Sequence, residues 1–244
     1  MADALDPQLV LGAYSVGVFP MADARDADSV YWVEPRRRAI LPLEGFHLSR
    51  SLRKTVAADR FRVTADTAFA QVLRLCAESA VDRPDTWING GIEDVFLRLH
   101  AMGYAHSVEC WQGDRLVGGL YGLALGRAFF GESMASRATD ASKVALAWLV
   151  ARLRVGGFTL LDCQFQTAHL ASLGAVEIDR DDYVALLAAA LSPPPLAPSS
   201  SSDLAGASAR GAGDFGALDR GGDSDSVSAP LAGKDIAQLL VHTS

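Results

Sequence analysis

The stretch FFGESMASRATDASKVALAWLVARLRVGGFTLLDCQFQTAHLASLGAVEIDR, Phe129 to Arg180, limits what this chain can become more than any other. It predicts a glycine-centred turn carrying Glu132 and Ser133, a helix capped by Thr139 or Asp140, and then a short apolar strand. The helix is expected to reach Val155, burying Leu146, Leu149, Val150 and Leu153, with Gly156-Gly157 as its stop. In the strand LLDCQF, side chains two apart share a face. Asp162 and Gln164 should therefore project together, with Cys163 and Phe165 pointing the other way. A carboxylate and a carboxamide in an apolar strand cost free energy unless partnered. They are either a buried hydrogen-bonded pair or part of a site, and the pattern alone leaves both open.

The segments around this stretch are short and of mixed type. Asp6 and Pro7 read as cap and first position of a helix ended by Gly17, followed by a turn at Val18-Phe19-Pro20-Met21 and a strand at Tyr31-Trp32-Val33. A helix over His47 to Thr55 carries Arg50, Arg53 and Lys54 on one face. Asp66 is expected to cap the next helix, whose buried stripe is Phe69, Val72, Leu73 and Cys76. Ile92, Val95, Phe96 and Leu99 mark another, ending at Gly103. His106 to Trp111 and Arg115 to Leu125 flank Gln112-Gly113-Asp114 as a hairpin, and a third strand runs from Arg127 to Phe130. Helices, then an antiparallel meander, a helix and a further strand predict an α+β domain of acetyltransferase type, not a doubly wound sheet. The division expected is a small N-terminal lobe (1–38), the main domain (39–192) and a disordered tail (193–244). The tail is rich in Ser, Gly, Pro and Asp, and only Lys234 to Val241 shows any helical tendency.

Net charge is −7, which argues against a generally basic binder of nucleic acid, yet Glu34 to Arg62 holds eight Lys/Arg against three Asp/Glu. That excess is either an ordinary solvated face or a phosphate-binding one. Cys76, Cys110 and Cys163 show no ligand spacing and read as reduced thiols of a cytoplasmic protein. The start, MADALDPQLV, has no secretory signal pattern, and no apolar run reaches the roughly 18 residues of a membrane span.

Several motifs invite chemistry and fail on context. Gly131-Glu132-Ser133-Met134-Ala135 nearly matches a nucleophile elbow, with Asp162 and His169 downstream in hydrolase order. Those two are only seven apart, and the βα alternation that an elbow needs is missing. Gly118, Gly119, Gly122 and Gly126 form neither a P-loop nor a dinucleotide fingerprint. His100, His106 and His169 lack metal-ligand spacing and read as structural. Trp87, in TWING, is either a core anchor or a stacking platform.

Together TWING, FFGESM, ASKVALAWLV and LLDCQFQTAHLASLGAVEI, in that order along the chain, strongly resemble the leucyl/phenylalanyl-tRNA–protein transferases over about residues 8 to 190. The resemblance implies transfer of leucine, phenylalanine or methionine from aminoacyl-tRNA to the α-amine of proteins beginning with Arg or Lys. It implies a cytoplasmic monomer that needs no metal or cofactor and acts on neither membrane nor DNA. Carried onto matching positions, Asp162 and Gln164 engage the amine, and Glu132 lies at the donor's 3′ end. Trp87 stacks on the terminal adenosine, and Leu120, Phe129 and Met134 line the donor pocket. Arg50, Arg53 and Lys54 meet the acceptor stem. Met21 stands where the family often has a second stacking tryptophan, and Ala135 where an aromatic is common. A ligase acting on a non-protein amine and a non-catalytic tRNA- or degron-binding module remain as alternatives.

Overall fold

A computed structural model describes residues 5–78, 86–192, 212–220 and 231–241. Helix α1 (Pro7–Ser15) begins as its sequence dictates, with Asp6 Oδ1 accepting from the Gln8 amide at 2.9 Å and Pro7 in the first turn. Gly17, at φ +82°, ends it. The expected turn at Phe19-Pro20-Met21 is instead a strand, β1 (Phe19–Met21), paired antiparallel with β2 (Tyr31–Val33).

A seven-stranded sheet carries the rest. Its strands are β3 (Arg37–Ile40), β4 (Arg62–Ala65), β5 (Ala105–Gln112), β6 (Arg115–Leu125), β7 (Ala128–Ser136), β8 (Leu160–Gln164) and β9 (Val176–Asp179), in the order β4-β5-β6-β7-β8-β3-β9. Every neighbouring pair is antiparallel except β7 and β8, which run parallel. A parallel pair needs a crossover, and helix α5 (Ala141–Val155) supplies it. The mixed α+β class therefore holds. The expected turn at Gly131 does not: that segment is the second half of β7, and Glu132 and Ser133 lie in a strand.

Helices cover both faces. On one lie α1, α3 (Phe69–Ala77), α4 (Gly90–Ala101) and α7 (Arg180–Leu191), with a core built on Tyr14, Phe96, Tyr121 and Phe130. On the other lie α2 (Arg50–Ala57) and α5, with a core built on Phe46, Leu52, Leu149, Leu161 and Phe129. A Cβ on Gly118 would come within 2.5 Å of the Ala141 Cβ, so this glycine lets α5 lie directly on β6. Asp66 does not cap α3. Its backbone is left-handed (φ +57°), and its carboxylate instead accepts from the Ser107 amide at 2.8 Å, fastening the chain to β5.

The tail departs from expectation where it is described. Helices α8 (Ala217–Arg220) and α9 (Gly233–Leu239) pack onto α5 and α2, burying Phe215, Leu218, Ile236 and Leu240. Phe215 stacks on Phe129 with 5.7 Å between centroids, and Asp219 takes both terminal nitrogens of Arg152 at 2.6 Å. Gly233 lies so close to the Val56 carbonyl that a Cβ would stand 1.9 Å from it. A few apolar residues spaced for contact thus suffice to dock a Ser/Gly-rich segment, and they turn α5 from a surface helix into one buried almost all round. Residues 193–211 and 221–230 lie outside the described residues.

Candidate active site

The site forms where two adjacent parallel strands part. The β7–β8 ladder pairs Ala128 with Leu160, Phe129 with Leu161 and Phe130 with Asp162, and ends there. Each strand is irregular just beyond that rung. On β7 the register to β6 jumps from Gly122↔Gly131 to Tyr121↔Ser133, leaving Glu132 as the extra residue. On β8 the register to β3 jumps from Ile40↔Asp162 to Ala39↔Gln164, leaving Cys163 extra. Such bulges break side-chain alternation and re-aim the residues after them. Across the gap, Gln164 Nε2 donates to Glu132 Oε1 at 2.9 Å.

The bulge on β8 corrects the expected facing. Alternation holds from Leu160 to Cys163, with Leu161 and Cys163 on the α5 side, and then fails at Gln164, whose φ is +61°. A left-handed glutamine costs of order 1–3 kcal/mol and persists only if its surroundings hold it. The Asp162 carboxylate does so, accepting from the Gln164 amide at 2.8 Å. Gln164 therefore turns to the same side as Cys163 and Phe165, and all three line a cavity of about 260 Å³. Asp162 does not line it.

Asp162 is instead sealed. Arg38 Nε donates to Oδ1 and Oδ2 at 2.9 and 3.1 Å, Arg38 Nη2 donates to Oδ2 at 2.6 Å, and the Tyr183 hydroxyl donates to Oδ2 at 2.8 Å. Both charges of the Arg38–Asp162 pair are buried. The Arg38 guanidinium lies between the rings of Phe19, at 4.7 Å, and Tyr183, at 4.5 Å, and also donates to the Gly17 carbonyl at 2.9 Å. One arginine thus ties the end of α1 and strand β1 to β8 and α7. Burial pushes the Tyr183 hydroxyl well up, so it remains a donor to the carboxylate.

Glu132 is partnered differently. Its Oε1 accepts from the Tyr14 hydroxyl at 2.8 Å and from Gln164, while its Oε2 is buried with no hydrogen-bond partner. Burial raises its carboxyl to about 8. The Asp162 charge adds to this, against the hydrogen bonds from Tyr14 and Gln164 and the nearby Arg38 charge. Burial also holds the Cys163 thiol protonated, which suits a wall group more than a nucleophile.

The cavity wall includes Trp87, Leu120, Met134, Leu146, Leu149 and Leu161, and His169 on α6 (Ala168–Ser172) also reaches it. Three of the expected donor-pocket residues, Trp87, Leu120 and Met134, are therefore brought together; Leu120 and Met134 are cross-strand partners. Phe129 is not among them. It lies on the far side of the bulge, fully buried between Phe158 and Phe215. Met21 is also outside the wall, but the neighbouring Ala22 amide donates to the Trp87 carbonyl at 3.2 Å, which places the β1–β2 ribbon beside that residue. Arg50, Arg53 and Lys54 are exposed along α2. Sequence reasoning missed Arg38, Tyr14 and Tyr183. The signal for the first was available: a carboxylate in an apolar strand requires a buried cation, and Arg38 opens the apolar run Ala39-Ile40-Leu41.

Comparison with known proteins adds to this geometry. Residues 40–188 match the model of the leucyl/phenylalanyl-tRNA protein transferase family, and residues 3–36 match the model of its N-terminal domain. The chain belongs to this family. Among curated relatives, the leucyl/phenylalanyl-tRNA–protein transferase of Rhizorhabdus wittichii is 60% identical over 256 residues, covering 99% of each chain. The one from Zymomonas mobilis is 62% identical over 192 residues, 79% of this chain and 72% of that one. The one from Novosphingobium aromaticivorans is 49% identical over 261 residues, 99% and 97% of the two chains. The family match stops at residue 188, whereas the Rhizorhabdus and Novosphingobium alignments take in nearly all of this chain.

Proposed function

We propose that this protein transfers leucine or phenylalanine, and also methionine, from aminoacyl-tRNA to the α-amine of proteins beginning with Arg or Lys, marking them for N-degron proteolysis. It acts as a cytoplasmic monomer without metal or cofactor. The carrying observation, within a chain of this family, is the cavity itself: an apolar recess with an indole in its wall and a carboxylate–carboxamide pair beside it. No helix among the described residues is long and apolar enough to cross a membrane. The domain is read as acetyltransferase-like because an antiparallel meander is followed by a parallel pair that splays after its crossover helix. The described part of the N-terminal lobe, α1 and the β1–β2 ribbon, packs against it.

The aminoacyl ester is already activated, so catalysis rests on orienting two substrates and stabilising the tetrahedral oxyanion. Leu120, Met134, Leu146, Leu149 and Leu161 accept an apolar side chain that is not branched at Cβ; at about 260 Å³ the recess falls just under the roughly 300–1,000 Å³ of small-molecule sites. Trp87 stacks on the terminal adenine, with Met21 at its flank. Arg50, Arg53 and Lys54 contact backbone phosphates, which accommodates several tRNA isoacceptors because no base edge is read. Gln164 presents its amide to the incoming amine, Asp162 fixes Gln164, and Glu132 lies at the donor's 3′ end.

The test incubates the pure protein with radiolabelled Leu-tRNA and peptides beginning with Arg, Lys or Ala. Label on the Arg and Lys peptides alone is expected. Equal labelling of the Ala peptide would favour a ligase of broader amines, and tRNA retained without any labelling would favour a binding module. Trp87→Ala should raise the KM for Leu-tRNA by an amount equivalent to about 1–3 kcal/mol of lost stacking. Replacing Arg50, Arg53 and Lys54 with alanine should flatten the salt dependence of that KM.

A further inference from the structure

We infer that Glu132 is the group that takes the proton from the acceptor's α-ammonium, and that Asp162 serves only as the anchor holding Gln164 in place. This rests on the transferase reading above. The two carboxylates are told apart by what their oxygens still have to offer. Both oxygens of Asp162 are occupied by Arg38, and they also take the Tyr183 hydroxyl and the Gln164 amide; the group is fully buried and absent from the cavity wall. Its lone pairs are engaged by donors inside the protein, and none faces a substrate. Glu132 is 7% exposed and stands on the wall, with Oε2 lacking any partner. A buried acceptor left open costs free energy until a donor arrives, and an ammonium N–H is such a donor.

The groups facing Glu132 allow it to titrate where it is needed. They are Tyr14 on α1, Arg38 on β3, Tyr121 on β6, Asp162 and Cys163 on β8, and His169 on α6 across the cavity. Tyr14 and Cys163 are held neutral by burial, and burial together with Lys143 pushes His169 down. The Glu132 carboxyl, raised to about 8, matches an α-amine near 7.7–8.0, the condition under which proton transfer between them is most effective. An arriving ammonium favours the ionised carboxylate, so binding itself prepares the base.

The transfer conserves atoms and charge. The ammonium gives one proton to Glu132 Oε2, and the freed lone pair forms the C–N bond to the ester carbonyl carbon. The nitrogen of the tetrahedral intermediate keeps two hydrogens and a positive charge. As the bond from that carbon to the ribose oxygen breaks, one of those protons passes to the departing oxygen, leaving a free hydroxyl on the tRNA and a new amide on the protein. Glu132 then releases its proton to solvent.

The experiment compares two acceptors with Leu-tRNA and the full chain between pH 7 and 9: a peptide beginning with Arg, charged at pH 7, and hydroxylamine, already uncharged there. Glu132→Gln should lower kcat for the peptide about 10²–10⁴-fold at pH 7, with the deficit shrinking toward pH 9. Its loss with hydroxylamine should be far smaller than its loss with the peptide. Equal loss with both acceptors, or a raised KM for Leu-tRNA at unchanged kcat, would show Glu132 to be a holder of the donor and overturn the inference. If the Gln variant does not fold, Glu132→Asp serves, with a larger loss for the peptide than for hydroxylamine expected and equal losses overturning it. A parent protein that transfers to neither acceptor would instead bring down the transferase reading itself.

Discussion

Asp162 and Glu132 belong to neighbouring strands on either side of the same opening, yet they occupy different media. Asp162 ends a ladder, is enclosed by an arginine, a tyrosine hydroxyl and a backbone amide, and never meets the cavity. Glu132 is the spare residue of a bulge, with one oxygen satisfied and the other left open. Burial is common to both, so burial does not decide which carboxylate can act on a substrate. The number and charge of the donors brought to each one does, and here the two answers differ within one small site.

The harshest way to break the contrast is to empty the sealed side. Asp162→Ala leaves Arg38 buried without its counter-charge and should cost about 3–5 kcal/mol in urea unfolding. The paired change Arg38→Met with Asp162→Leu should restore most of that stability while transfer stays impaired, because the Gln164 amide still lacks its acceptor. Recovery of transfer along with stability would mean the pair is scaffold alone. The two tyrosines sharpen the contrast at smaller cost. Tyr183→Phe and Tyr14→Phe each remove one hydrogen bond to a carboxyl group, worth about 1.5–3 kcal/mol if the acceptor is charged. Only Tyr14→Phe should move the pH–rate profile, and it should move it to higher pH, since that hydrogen bond holds the Glu132 carboxyl down.

Glu132→Gln is the mildest of these changes for the fold. With the carboxyl at about 8 in the folded state against 4.5 unfolded, the native protein keeps a proton that the unfolded chain has lost between those values. Stability of the parent should therefore fall as pH rises from about 4.5 to about 8 and level off above. Thermal unfolding of the Gln variant should lack that decline. Parallel curves for the two proteins would contradict the assignment.

Much of the frame was legible because local signals agreed with the global result. The Asp6-Pro7 start of α1, the β5–β6 hairpin and the run of α5 to its stop at Gly156 follow from periodicity and punctuation alone, although Asp140, at the N-cap position of α5, is left-handed and its side chain makes no capping hydrogen bond. Facing at the site was not, because it turns on two bulges. Period-two logic places Asp162 beside Gln164, and the extra residue on β8 reverses that; the resemblance alone places Phe129 in the donor pocket, and it lies before the bulge on β7. No composition marks Glu132 or Cys163 as extra; only the register against β6 and β3 does. The packed pieces of the tail escaped for a related reason. Phe215 and Leu218 are too sparse to form a pattern by themselves, and they matter because α5 and His106 wait at the right spacing, the latter with its ring 4.2 Å from that of Phe215.

The Arg38 clamp also sets an order of manufacture. Its three parts leave the ribosome far apart in time: the guanidinium early, its carboxylate 124 residues later, and the covering phenol 21 residues after that. A half-made chain has nothing to neutralise that cation and no second strand to splay from the first. The cavity beside Gln164 therefore comes into being only once nearly the whole domain has been synthesised.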